Sequence, residues 1–238
     1  MKTHTNALGQ PVGFPIPGWT PRKLPPRTPM VGRFCTVEPL DAERHAAQLF
    51  AAYAEDVEGR LWTYLPRGPY ATLDEYRQWA QAACQDDDPL VHAIIDKASG
   101  EAVGTAALMR IEPEAGVIEV GSITYSPRLQ RRPAGTEAMY LMMRRVFDEL
   151  GYRRYEWKCN ALNAPSRAAA LRYGFQYEGL FRQATITRGR NRDTTWFSII
   201  DGEWPVVRTA FERWLDRANF ADDGTQRRSL ASLRSSPE

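Results

Sequence analysis

At 238 residues the chain is long enough for one sizeable domain or two very small ones. Its 31 basic and 29 acidic residues leave a net charge of +2, which removes any general attraction to nucleic acid or an anionic membrane. No apolar run approaches the roughly 18 residues of a membrane span. The N-terminal MKTHTNALGQPVGF lacks the apolar stretch of a secretory signal. Cys35, Cys84 and Cys159 are far apart without CxxC spacing, so neither a disulfide framework nor a zinc site is expected, and a reducing cytoplasm fits best.

Residues 1–32 are proline-rich (PVGFPIPGWTPRKLPPRTP) and exclude a regular helix or central strand. They read as an extended arm whose Phe14, Ile16 and Trp19 pack on the body or on a partner, which makes a homodimer conceivable. Residues 33–220 form the domain proper, and 221–238 (ADDGTQRRSLASLRSSPE) read as a frayed tail. Within the domain, Arg33 to Glu38 reads as a strand. Asp41 opens a helix with apolar Ala46, Leu49, Phe50 and Tyr53 at helical spacing. Thr72-Leu73-Asp74-Glu75 has the form of a capping box and starts a helix through Cys84. Leu90 to Asp96 and Ala102 to Ile111 make a hairpin around KASGE, followed by a strand over Val117 to Tyr125.

From Pro133 to Leu150 a helix carries Met139, Met142, Met143, Val146 and Leu150 in one stripe, with Gly151 as its C-terminal cap. Then come a strand (Arg154 to Asn160), a helix (Ala164 to Tyr173, ending at Gly174) and two strands (Phe175 to Ile186, Thr194 to Asp201). A last helix from Glu203 aligns Trp204, Val207, Phe211, Trp214 and Leu215. An antiparallel front half followed by β-α-β-α-β-β predicts an α/β fold with one mixed sheet flanked by helices.

The chemistry concentrates after Tyr125. A strand leads into LQRRPAGTEA, which opens a long helix. Main-chain N–H groups and the positive dipole end of a helix attract phosphate oxygens, Arg131 and Arg132 would add charge-assisted contacts, and small Ala134 and Gly135 would let a ligand approach closely. A capped helix with two solvated arginines is the competing reading of the same residues.

Four pieces in order resemble the GNAT acetyltransferases, in particular their ribosomal-protein alanine N-acetyltransferase (Rim-type) branch. They are the loop Gln130-x-x-x-x-Gly135, the strand YEWKCN, Asn163-Ala-Pro-Ser166 with ALRYGF behind it, and Glu178-Gly179-x-x-Arg182-Gln183 leading to Asp193. The resemblance spans residues 33–217. It implies a sheet splayed between the fold's fourth and fifth strands, acetyl-CoA as co-substrate, and an amine acceptor, either a protein N-terminus or a small molecule. It further implies that Gly121 to Tyr125, including Ile123, Thr124 and Tyr125, line the thioester and supply a main-chain oxyanion donor. Gln130, Arg131, Arg132, Ala134, Gly135 and Thr136 would hold the diphosphate. Asn163 would bond the pantetheine, and Ser166 would protonate the departing thiolate, although both could simply cap the helix at Ala164.

Two departures matter. Pro133 replaces the loop's first glycine and has no N–H, leaving the amides of Arg132, Ala134, Gly135 and Thr136 as donors. Thr185 stands where some relatives carry a basic carboxylate. Glu119 is the first candidate base, on the face that period-2 alternation gives to Gly121 and Ile123, and Glu156 is the second. Cys159, His45 and His92 read as structural. Tyr64, Tyr70, Trp62, Trp79, Phe181 and Trp196 are available to wall the acceptor site. These departures keep open a non-catalytic module that binds coenzyme A or a protein partner.

Overall fold

The structure is a computed structural model that describes residues 3–235. A hairpin of β1 (Thr3–Thr5) and β2 (Pro11–Gly13) precedes β3 (Met30–Val31), β4 (Cys35–Pro39), α1 (Ala42–Ala54) and α2 (Leu73–Ala83). Next come β5 (Leu90–Asp96), β6 (Ala102–Glu112), β7 (Val117–Tyr125) and α3 (Pro133–Arg144). The chain finishes with β8 (Arg154–Asn160), α4 (Ala164–Tyr173), β9 (Gln176–Thr187), β10 (Arg190–Ile200), α5 (Trp204–Leu215) and α6 (Leu230–Arg234). Eight strands form one sheet in the order β3-β4-β5-β6-β7-β8-β10-β9. Every neighbouring pair is antiparallel except β7 and β8. No described helix is long and apolar enough to cross a membrane.

The local signals act as expected of them. Asp41 accepts from the amides of Glu43 and Arg44, Thr72 from that of Glu75, and Asn163 from that of Ser166, so three helices start on side-chain caps. Gly174, at φ 103°, stops α4 in a conformation only glycine adopts cheaply. The α3 stripe of Met139, Met142 and Met143, continued by Val146 in the turn after it, packs on one sheet face with Tyr155, Trp157, Phe175 and Phe211, and α1, α2 and the segment between them cover the other face through Leu49, Tyr53, Trp62 and Tyr76.

One buried carboxylate holds the entry to the sheet. Glu137, inside α3, accepts the main-chain N–H groups of Arg33, Phe34 and Cys35 at 2.7, 2.6 and 2.8 Å. Gly32 is needed at this turn, because a Cβ there would run into that carboxylate.

Both chain ends differ from the sequence reading. In the arm, Trp19 does pack on the body, its Nε1 donating to Glu114 O at 2.8 Å and its ring filling the space beside Gly116. Phe14 and Ile16 are exposed instead. At the other end, the segment read as frayed carries α6, with Leu230 and Leu233 buried against the α3 layer and Arg234 donating to Arg172 O and Leu171 O. Two leucines three residues apart gave too short an apolar repeat to be recognised as a helix; the last residues, 236–238, lie outside the described ones.

His92, fully buried on β5, has its pKa pushed down to about 4 by burial and then by the nearby Arg145 guanidinium. The unfolded chain therefore takes up a proton at a higher pH than the folded one. Stability is expected to fall by on the order of 3 kcal/mol as pH drops from about 6.5 to about 4. Thermal melts across that range should show His92→Gln with a shallower acid-side slope than the parent; equal slopes would refute it.

Candidate functional site

The sheet comes apart at one place. Parallel pairing of β7 with β8 runs from Val117 opposite Arg154 to Val120 opposite Trp157 and then ends. From Gly121 to Tyr125 the edge of β7 that faces β8 has no strand partner, and a cleft of about 200 Å³ opens between them. Its wall includes Glu119, Gly121, Ser122 and Ile123 from β7, Lys158 and Cys159 from β8, and Asn163 and Ser166 from the start of α4.

A β-bulge shapes the β7 side. Gly121 lies opposite Ala107 and Thr124 opposite Thr105, so Ala106 faces both Ser122 and Ile123. Ser122 takes a left-handed φ of 51°, which costs a residue with a Cβ roughly 1–2 kcal/mol. Arg67, from the loop between α1 and α2, holds the bulge by donating to Ser122 Oγ at 3.1 Å and to Ser122 O and Thr124 Oγ1 at 3.4 Å, with its guanidinium 4.5 Å from the Trp79 ring. The bulge also breaks the alternation. Ile123 and Tyr125 pack with Ile118 and Val120 against the α3 layer, while Glu119 keeps the face of Gly121. The expectation that Glu119 and Ile123 share a face is thus corrected. Thr124 is corrected too: its side chain is buried and accepts from Arg67, its main-chain oxygen accepts from the Tyr53 hydroxyl, and it does not line the cleft.

Glu119 and Glu156 lie directly opposite each other on the paired part of the strands. Lys158 bridges them, with Nζ 2.9 Å from Glu119 Oε2 and 2.7 Å from Glu156 Oε2. Arg110 reaches the same Glu119 oxygen at 2.6 Å. Arg154 binds Glu156 at 2.6 Å and also Glu178, which its guanidinium holds below the usual carboxylate range. Lys158 further sits 3.7 Å from the Trp196 ring centre, and Phe181 stacks on that ring at 4.5 Å. Glu119 borders the cleft and Glu156 does not, because Lys158 and Arg154 enclose it; its candidacy as a base is withdrawn on that ground. Trp62, Tyr70 and Trp79 are also displaced from the acceptor wall, forming an aromatic cluster with Tyr53 and Tyr76. Tyr64 stays at the cleft, its hydroxyl donating to Leu162 O across the gap at 3.1 Å.

Beyond Tyr125 a second, larger cavity of about 600 Å³ begins at the start of α3, lined by Tyr125, Gln130, Arg131, Arg132, Gly135 and Thr136. Pro133 is the first residue of α3, where its missing N–H leaves no helix bond unmade. Two expected donors are engaged: Arg132 N bonds Leu129 O at 3.3 Å and Gly135 N bonds Arg132 O at 3.2 Å. Ala134 faces inward, buried near Cys35, and does not line the cavity. Gly135 lies in a tight space, since a Cβ would stand 3.1 Å from the Tyr125 ring and 3.2 Å from Leu129 O. The Tyr125 and Tyr173 hydroxyls donate to Gly135 O, and burial pushes both phenols up, so they remain donors.

Three groups here were not foreseen. Arg172, from α4, lines the cavity and donates to Thr136 Oγ1 at 3.1 Å. Trp214 and Gln226 bring the C-terminal segment over the same cavity, joined by a 2.7 Å hydrogen bond. A helical projection of ALRYG could have placed Arg172 toward α3, whereas nothing in a polar tail signals that it folds back.

Asn163, on the cleft wall, spends its Oδ1 on the α4 cap, at 3.1 Å from Ser166 N. Ser166 Oγ accepts from Trp157 Nε1 at 3.1 Å, which leaves its own proton available to donate. Cys159 is a packed thiol with Sγ 3.1 Å from Thr195 Oγ1.

Comparison with known proteins places the whole domain. The family model described as acetyltransferase (GNAT) domain matches residues 35–176, and the chain belongs to this family. A crystal structure of a GCN5-related N-acetyltransferase from Brucella melitensis is 49% identical, covering 92% of this chain and 99% of that one with a TM-score of 0.90. A GNAT-family structure from Chromobacterium violaceum is 39% identical over 82% of this chain and 98% of that one, with a TM-score of 0.76. A structure described as a ribosomal-protein-serine acetyltransferase from Vibrio cholerae shares the fold at 22% identity, covering 74% and 98% with a TM-score of 0.63. No curated protein matches the chain.

Glu119→Gln leaves Arg110 without its buried anion and Lys158 with only one of two. Urea unfolding should show a loss of about 3 kcal/mol, and a change below about 1 kcal/mol would mean that the ion-pair row is slack.

Proposed function

We propose that this acetyltransferase moves an acetyl group from acetyl-CoA to a primary amine by direct attack in a ternary complex. The observation that carries the reading is the cleft where β7 and β8 part, running toward the arginine-rich start of α3. Unpaired main-chain groups along Gly121 to Tyr125 can bond a pantetheine as a neighbouring strand would. The larger cavity supplies Arg131, Arg132 and Arg172 for a diphosphate, with the α3 dipole behind them.

Attack on a thioester needs an oxyanion donor, a route for the amine proton and an acid for the thiolate. Main-chain N–H groups at the bulge are the donor candidates, because Arg67 fixes that backbone before any ligand arrives. Ser166 holds the proton for the leaving sulfur, its hydroxyl oriented by Trp157. Glu119 takes the amine proton through Oε1, which lies toward Gly121 and the cleft while Oε2 carries both cations. The cations around that carboxylate favour an amine that arrives neutral and nucleophilic.

Titration with acetyl-CoA should give saturable heat, and an amine panel should release free thiol; binding without release would favour the module. Ser166→Ala is expected to lower kcat about 10²-fold with coenzyme affinity unchanged. Replacing Arg131 and Arg132 together with alanine should weaken coenzyme A binding about tenfold or more in calorimetry, and an unchanged Kd would move the diphosphate elsewhere.

A further inference from the structure

Charge around the smaller cleft is unevenly matched. Arg110, Lys158 and Arg192 line it together with a single acid, Glu119. The first two are occupied, since both bind Glu119 Oε2 and Lys158 also binds Glu156. Arg192 is different. Among the described residues no carboxylate pairs with its guanidinium, and its Nε is sealed from solvent without an acceptor. The residue across the strand pair is Thr185, so no acid answers it there. By contrast Arg188, at the tip of the same hairpin, is satisfied by the main-chain oxygens of Arg67 and Gly68. A guanidinium atom that has lost water and gained no acceptor raises the free energy until an anion arrives, and the planar fork of arginine suits a carboxylate best.

We infer that Arg192 recognises a carboxylate on the acceptor, so that the amine acetylated here belongs to a small amino carboxylate such as a free amino acid. The inference rests on the acetyl-transfer reading of the cleft and names its acceptor class. Size supports the small molecule over a polypeptide. The cleft measures about 200 Å³, Tyr64 spans it by bonding Leu162 O at 3.1 Å, and Arg188 ties the hairpin tip down onto the loop at 67–68. The charge pattern agrees: a carboxylate is drawn to Arg192, while the surrounding cations favour loss of the ammonium proton that attack requires.

The test uses the full chain with the twenty L-amino acids and their matching amides, which differ by the carboxylate. With acetyl-CoA, thiol release should favour the best acid over its amide by roughly ten- to hundredfold in kcat/KM. Arg192→Gln should raise KM for the acid to that of the amide, Arg192→Lys should restore part of the preference, and neither should alter the Kd for coenzyme A. Equal use of acids and amides, or a preference that survives in Arg192→Gln, overturns the inference. So does faster turnover of a seven-residue peptide with an acidic second position. Calorimetry of the same acid and amide on the protein loaded with coenzyme A separates the two readings. Arg192-dependent binding of the acid without turnover of any amine sustains the carboxylate site and removes the transferase, whereas indifference to the carboxylate in binding removes the site.

Discussion

Everything at the site follows from how far two parallel strands stay together. β7 and β8 are bonded over four residue pairs and then separate. Sheet twist rotates adjacent strands against each other but does not by itself part them. Here the bulge at Ser122 turns β7 away, and the start of α4 fills the far side with Asn163 and Ser166. The result is a length of strand edge inside the sheet whose backbone groups have no strand partner. Bulges next to functional sites commonly re-aim the chain in this way.

The row of charge beneath the cleft stabilises the paired part of the same strands. Glu119 and Glu156, face to face in a parallel register, would repel without Lys158 between them and Arg110 and Arg154 at the ends. Removing water from such groups is expensive, and the row is tolerable because each carboxylate has two cationic partners. Its consequence for chemistry is direct. The carboxylate closest to the parted strands is held in place, with both cations on one of its two oxygens. Arg192, unmatched at the rim, stands outside that balance.

Closure of the larger cavity is a long-range matter. α3 offers its start and Arg172 reaches across from α4, while the C-terminal segment returns through Trp214, Phe220 and Gln226 and is pinned by Leu230 and Leu233. Asn219 fastens this return, its side chain bonded to Trp214 O and to Arg228 N and O. A polar tail with two buried leucines is thereby part of the binding surface.

Short-range physics was readable in the chain itself. Asp41, Thr72 and Asn163 announce helix starts, Gly174 a helix stop, and the stripe of Met139, Met142, Met143 and Val146 a buried helix face, because each acts within one or two turns of its own position. The order of motifs from Gln130 to Phe175 likewise marked both the family and the neighbourhood of the site. Folding in three dimensions decided what depends on partners distant in sequence. It turned Ile123 from Glu119's face through a one-residue bulge, enclosed Glu156 between Lys158 and Arg154, and faced Ala134 into the core. It also set Arg172 and the C-terminal segment over the larger cavity and left Arg192 without a carboxylate partner. Alternation and spacing describe one strand or helix at a time, whereas a charge's partner and a cavity's wall are set by elements that meet only when the sheet is assembled.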